Sequence, residues 1–272
     1  VTAWALAGFG DEIDADPRVQ LAVLAAVGCR HIEVRSAWGT NVSELSDEGL
    51  ERLAALVDTA GMAVSAIASP VGKSDIEADD EHRFERALRA ADVLRARYVR
   101  VFTFQHDGRP AESVRDAVLR RMSALADRAR RAGVVLVAEN EVGVYGDRPE
   151  RLADVVESVD SPALRVAWDA GNFVRVGLRP FEDAYPLLAA HLAYLQVKDA
   201  VYGGGSVPAG AGDGQLPQTI RALADTGFDG FASLEPHLTS SGRLAGFSGP
   251  ERFGAAARAF AALASEHGIE LT

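Results

Sequence analysis

Several runs that read as buried strands end in side chains able to do chemistry. Glu139 and Glu141 close VVLVAENE, Asp169 stands in LRVAWDA, Gln196 and Lys198 lie in LAYLQVKD, and Glu235 and His237 lie in FASLEPH. A strand alternates its faces, so Glu139 shares a face with Glu141, Gln196 with Lys198, and Glu235 with His237. Carboxylates converging in one cavity repel one another and lose hydration unless a cation offsets both effects. Three carboxylates and one amide oxygen make an all-oxygen donor set of the kind that suits a hard divalent ion such as Mn2+ or Mg2+. Taken alone, a late-strand Asp or Glu reads more simply as a helix cap or loop anchor. Equivalent positions on consecutive strands are harder to explain that way.

The elements that must position these groups alternate from end to end. Strand candidates cover 4–10, 31–35, 63–69, 98–104, 134–141, 164–170, 192–199 and 231–237. Each is followed by apolar residues at helical spacing, such as Val114, Val118, Met122 and Leu125, then Leu152, Val155, Val156 and Val159. Asp16 followed by Pro17 is a helix start. Gly28, Gly61, Gly133 and Gly227 stand where helices should stop. Strands alternating with helices imply parallel βαβ units with right-handed crossovers, and eight of them in 272 residues fit a (β/α)8 barrel. A doubly wound sheet would want a glycine-rich phosphate loop after its first strand, and GFGDEID has no GxGxxG. With no linker or shift in composition, the expectation is one α/β domain, a single TIM barrel over residues 1–272. GGGSVPAGAGDG (203–214) reads as a mobile loop after the seventh strand.

Composition narrows the function. Hydrophobic content of 48% and charged content of 25% are those of an ordinary soluble domain. A net charge of −11 argues against a nucleic-acid surface. The lone Cys29 excludes an internal disulfide or a cysteine-based zinc cluster and fits a reducing cytoplasm. No apolar run approaches a membrane span, and VTAWALAGFG reads as a first strand and not a signal peptide.

The chain resembles the xylose-isomerase-like TIM-barrel superfamily of sugar isomerases and epimerases, also known as sugar phosphate isomerase/epimerase or AP endonuclease family 2. GFGDEI, IEVR, ASPVGK, VRVFTF, AENEVGVYGD, WDAGNF, YLQVKDA and SLEPHL carry the resemblance over essentially the full length. In that family the fifth to eighth strands supply Glu, Asp, His and Glu to one divalent metal, which implies Glu139, Asp169, Gln196 and Glu235 here. Gln196 is the departure, since most relatives have histidine in a His-x-Lys-Asp motif. Hydroxypyruvate-isomerase-like members also carry glutamine there, and losing imidazole favours Mn2+ or Mg2+ over Zn2+.

A divalent ion holding adjacent carbonyl and hydroxyl oxygens of a sugar acidifies the intervening C–H and stabilises an enediolate. The resemblance implies Glu139 and Glu235 as the groups that move the proton. Its return to the same carbon gives an epimerase, and its return to the neighbouring carbon an isomerase. Lys198, His237, Lys73 and Arg35 are candidates for substrate binding. The plainer readings are a salt bridge from Lys198 to Asp169 or Asp199, a supporting role for His237, and solvated strand-end cations for Lys73 and Arg35. Asn172 reads as a cap. Between Asp199 and Arg221 there is no Lys or Arg to hold a phosphate, which points to an unphosphorylated sugar, keto-sugar or polyol. Competing functions are a lyase of the inosose-dehydratase or 3-keto-glycoside type and a metal-free sugar-binding barrel. The expected partner is a small carbohydrate, with no nucleic acid or membrane, and homo-oligomerisation is left open.

Overall fold

In the computed structural model, which describes residues 2–239 and 247–272, the barrel strands are β1 (Thr2–Gly8), β2 (His31–Val34), β3 (Ala63–Ala68) and β4 (Tyr98–Val101). They continue as β5 (Val135–Glu139), β6 (Leu164–Asp169), β7 (Leu192–Val197) and β8 (Phe231–Leu234). From β2 to β8 each strand pairs parallel with the next, and β8 pairs with β1. A parallel bridge between Phe9 and Glu33 closes the ring. This is a (β/α)8 TIM barrel.

The strands end earlier than their sequence runs suggest, so several chemical residues stand just beyond a strand. Besides two-residue hairpin strands, one strand of the main sheet was not foreseen. β9 (Ile269–Leu271) pairs parallel with Thr2–Trp4 on the edge of β1 away from β8. Three residues are too few to show a period-2 signal.

The outer layer consists of α1 (Pro17–Ala26), α2 (Asp47–Thr59), α3 (Glu81–Val93), α4 (Ala111–Ala132), α5 (Pro149–Val159), α6 (Ala170–Arg175), α7 (Tyr185–Leu188), α8 (Leu216–Asp225) and α9 (Pro250–Glu266). In α4, Val114, Val118, Met122, Leu125 and Ala129 form one buried stripe. Each buried Val, Leu or Met side chain is worth about 1.5–3 kcal/mol, which is what holds the helix to the sheet. Gly133 ends it in the left-handed region at φ 74, and Gly28, Gly61 and Gly227 also have positive φ. Asp16 caps α1 by accepting from Arg18 N–H at 2.9 Å. Between β6 and β7 the pattern departs from one regular helix. Gly177 turns the chain at φ 81, and Pro180 begins a π-helical turn before the short α7.

Inside the barrel, Tyr98, Tyr194 and Phe231 pack with ring centroids 5.7–6.1 Å apart, beside Ala66, Val137 and Ala167. Above this plug the interior turns polar. The Tyr194 hydroxyl lies 2.9 Å from Glu33 Oε2 and 2.8 Å from Ser65 Oγ. Burial pushes Glu33 up to about 7. No helix among the described residues is long and apolar enough to cross a membrane.

Candidate metal centre and active site

Carboxylates meet over the C-terminal ends of the strands. Ligand oxygens of Glu139, Asp169 and Glu235 lie within 4.8 Å of one another, and all three residues are buried. Gln196 stands level with Asp169 across the β6–β7 pairing. It is fully buried, yet neither Oε1 nor Nε2 has a hydrogen-bond partner among the described residues. An unsatisfied buried amide costs about 1–3 kcal/mol, so it calls for a ligand. Three carboxylates and one orphaned amide are therefore a fitting donor set for a hard divalent cation.

Side chains missed in the sequence lock these groups. Glu139 accepts from Arg100 Nη1 at 2.6 Å and from Asn172 Nδ2 at 2.9 Å. Asn140 joins β5 to β6 by donating to the Asp169 carbonyl and accepting from the Asp169 N–H, both at 2.8 Å. Asp169 Oδ1 caps α6 through the Asn172 N–H at 2.9 Å. Asn172 is therefore not the cap: its N–H is the donor that Asp169 caps, and its side-chain amide orients Glu139. The one available signal for Arg100 was a charge in the middle of the strand YVRVFTF. Asn140 gave none, since its partner is a backbone on another strand.

The four candidate substrate-binding residues all reach this end of the barrel. Lys198 Nζ lies 2.5 Å from Asp169 Oδ2 and 3.1 Å from Glu235 Oε2, so the plainer reading of a salt bridge to Asp169 is the arrangement found. Arg35 pairs with Asp11 at 2.8 Å and with Glu235 at 3.1 Å. Lys73 pairs with Glu141 at 2.5 Å. Both are ion-paired cations of the cavity wall. His237 Nε2 lies 3.1 Å from Glu12 Oε1 and 3.3 Å from Glu235 Oε1. Glu12 was overlooked. It is fully buried, and it accepts from Ser248 Oγ at 2.6 Å and from the His237 N–H at 3.0 Å.

Burial and charge pull these groups apart. Burial raises Asp169 to about 7 against the opposing pull of Lys198. Burial likewise raises Glu139, with Arg100 opposing it. Burial would raise Glu235 too, but Lys198, His237 and Arg35 together hold it well below the usual carboxylate range. Burial pushes Glu12 up to about 8 and His237 down to about 4. Lys198 stays charged because Asp169 and Glu235 outweigh the burial that opposes its charge.

Above the carboxylates opens a cavity of about 650 Å3, with Lys198, Glu235, His237, Arg100 and Arg175 among its walls. That is within the size range of small-molecule sites. One wall residue, Lys73, is placed by its neighbour Gly72. The φ of Gly72 is +79, and a Cβ there would stand 2.1 Å from the Phe102 carbonyl oxygen, so only glycine brings Lys73 to the rim.

The loop 203–214 is not the free segment its composition suggested. Ser206–Val207 pairs antiparallel with Asp199–Ala200. The Asp199 carboxylate accepts from the N–H groups of Ala200, Gly210, Gly212 and Gly214 at 2.9–3.1 Å. A glycine-rich nest of amides is filled by the chain's own carboxylate.

A (β/α)8 barrel whose strand ends gather buried carboxylates is the frame of a small-molecule enzyme class. The family model of the xylose isomerase-like TIM barrel matches residues 21–263, and the chain belongs to that family. No curated protein matches it. Among solved structures it is similar to a D-tagatose 3-epimerase-like protein (17% identity, 97% of this chain and 98% of that one, TM-score 0.78). It is also similar to a xylose isomerase domain protein from Planctomyces limnophilus (17%, 98% and 99%, 0.76). A third is a xylose isomerase-like TIM barrel protein from Mycobacterium smegmatis in complex with magnesium (21%, 97% and 96%, 0.71). At these identities the likeness is one of fold.

Proposed function

We propose that this protein is a divalent-metal-dependent isomerase or epimerase of a small, unphosphorylated sugar or keto-sugar. The observation that carries this reading is the pairing of three convergent buried carboxylates with a buried amide that has no partner among the described residues. Glu139, Asp169, Gln196 and Glu235 would hold Mn2+ or Mg2+ through oxygen. Such an ion supplies polarisation of adjacent carbonyl and hydroxyl oxygens, which acidifies the C–H between them.

The chain's own residues do the rest. Glu235, kept ionised by Lys198, His237 and Arg35, accepts the proton. Glu139, raised by burial and steered by Arg100 and Asn172, is suited to hold a proton and return it. Lys198 and Arg100 line the cavity and would supply positive charge to an enediolate oxygen. The absence of phosphate from the substrate is supported by the loop after β7, whose glycine amides are taken by Asp199.

The test is deuterium incorporation from D2O, with Mn2+ added, across ketoses, keto-sugars and inososes. One deuterium at a carbon next to a carbonyl, lost in Glu139→Gln and Glu235→Gln, supports the reading. An unsaturated or deoxy product would reassign the chain as a lyase. Absence of exchange in every substrate class would leave a sugar-binding barrel.

A further inference from the structure

Before any metal enters, five carboxylates around the cavity are already paired with four cations, Arg35, Lys73, Arg100 and Lys198. Asp11, Glu139, Glu141, Asp169 and Glu235 each have a Lys or Arg nitrogen within 3.1 Å. A divalent ion brings two more positive charges and no new carboxylate. The cavity then favours a negatively charged occupant over a neutral one.

One lining cation stands apart. Arg175, in the last turn of α6, faces the cavity and makes no ion pair among the described residues. Its Nη2 donates to Ser206 Oγ at 3.0 Å, which joins α6 to the hairpin after β7. That hairpin is held in turn by Asp199. Arg175 is exposed, and by sequence it is an ordinary helix-end cation; only the fold brings it to the loop that lacks any Lys or Arg of its own.

We infer that Arg175 and Ser206 form a carboxylate subsite at the cavity mouth, and that the substrate is a small polyhydroxylated keto acid whose carboxylate lies away from its reacting carbons. A planar guanidinium matches a carboxylate through two parallel N–H···O bonds. Phosphate is the poorer fit, because phosphate sites draw on backbone amides. The amides of Gly210, Gly212 and Gly214 are taken by Asp199, while those of Gly171 and Asn172 donate to the Lys198 carbonyl and to Asp169. The inference rests on the proposed metal-dependent reading of the same site.

Three probes that differ only at carbon 6 test it: D-fructose, D-fructuronate and D-fructose 6-phosphate. Each is titrated calorimetrically into the Mn2+-loaded protein, after a separate Mn2+ titration of every variant. The expected result is that fructuronate binds about tenfold or more tighter than fructose, with a preference that shrinks as salt rises. Arg175→Gln should abolish that preference while leaving Mn2+ and fructose affinity unchanged, and Arg175→Lys should keep part of it. Fructuronate binding no tighter than fructose, or a preference that survives Arg175→Gln, overturns the subsite. Tighter binding of the phosphate than of fructuronate overturns the carboxylate assignment. If the parent protein takes up no Mn2+, the metal-dependent reading falls as well; normal Mn2+ uptake without acid preference sinks this inference alone.

Discussion

The Lys198 ammonium stands 2.5 Å from Asp169 Oδ2 and reaches Glu235 from the same position, so a protein cation occupies the heart of the carboxylate cluster. It offsets repulsion that a divalent ion would otherwise have to offset. Lys198 and the metal therefore compete for the same negative charge.

This competition predicts opposite effects on folding and on metal binding. Lys198→Met leaves buried carboxylates without their partner, which costs the metal-free protein about 3–5 kcal/mol. The same change should tighten Mn2+ binding and give a larger Mn2+-induced rise in melting temperature than in the parent. Thermal unfolding with and without Mn2+ measures both. Equal metal-induced shifts in the two proteins would show that Lys198 and the metal do not interact.

Gln196 gives a prediction of unusual sign. Its amide has no partner among the described residues, so Gln196→Leu removes an unsatisfied buried group that costs about 1–3 kcal/mol. The metal-free variant should melt at the same temperature as the parent or higher, and bind Mn2+ more weakly. Gln196→His should shift preference towards nitrogen-favouring metals such as Zn2+. A Leu variant that binds Mn2+ like the parent would make Gln196 a bystander.

Much of this was legible in the sequence, for physical reasons that particular residues make plain. The stripe of α4 and the positive-φ glycines that end the helices are local signals. Glu139, Asp169 and Glu235 were visible because strand ends of a parallel barrel face one cavity. Arg100 and Asn140 were not visible as site residues, because their partners lie on other strands and depend on register, not on one strand's period; Glu12 was not, because its partners His237 and Ser248 lie 225 and 236 positions away. The Asp199 nest is hidden for a related reason. A run such as GGGSVPAGAGDG looks free until one knows which carboxylate its amides surround. Arg175 and Ser206, thirty-one positions apart, meet only through the hairpin.

Asp199 should therefore matter more to its loop than to the barrel. Asp199→Ala leaves the amides of Gly210, Gly212 and Gly214 without their acceptor, and hydrogen bonds to a charged group contribute about 1.5–3 kcal/mol each. Limited proteolysis should then cut within 203–214, at least tenfold faster than in the parent, with little change in the melting of the barrel. Unchanged cleavage would mean that the hairpin holds itself.

Glu33 sets a pH dependence on stability. Burial, helped by the like charge of Glu235, outweighs the opposing pull of Ser233, Arg100 and Tyr194 to put it at about 7. An unfolded Glu titrates near 4.3, so the folded state binds the extra proton between roughly pH 4.3 and 7. Its stabilising contribution is full below that window and lost as pH rises through it, about 4 kcal/mol in all. Glu33→Gln should flatten the stability profile across this range and be more stable than the parent at pH 8. Denaturant unfolding at a series of pH values checks the slope.

The central claim is that Glu139, Asp169, Gln196 and Glu235 hold one divalent ion. Anomalous diffraction at the manganese edge, from crystals soaked in Mn2+, tests it most directly. The account predicts one strong peak with oxygen atoms of all four residues about 2.0–2.4 Å away and Lys198 displaced from Asp169. A peak on Glu12 and His237 instead, or a soaked crystal in which Lys198 still bridges Asp169 and Glu235 with no peak beside them, would contradict it.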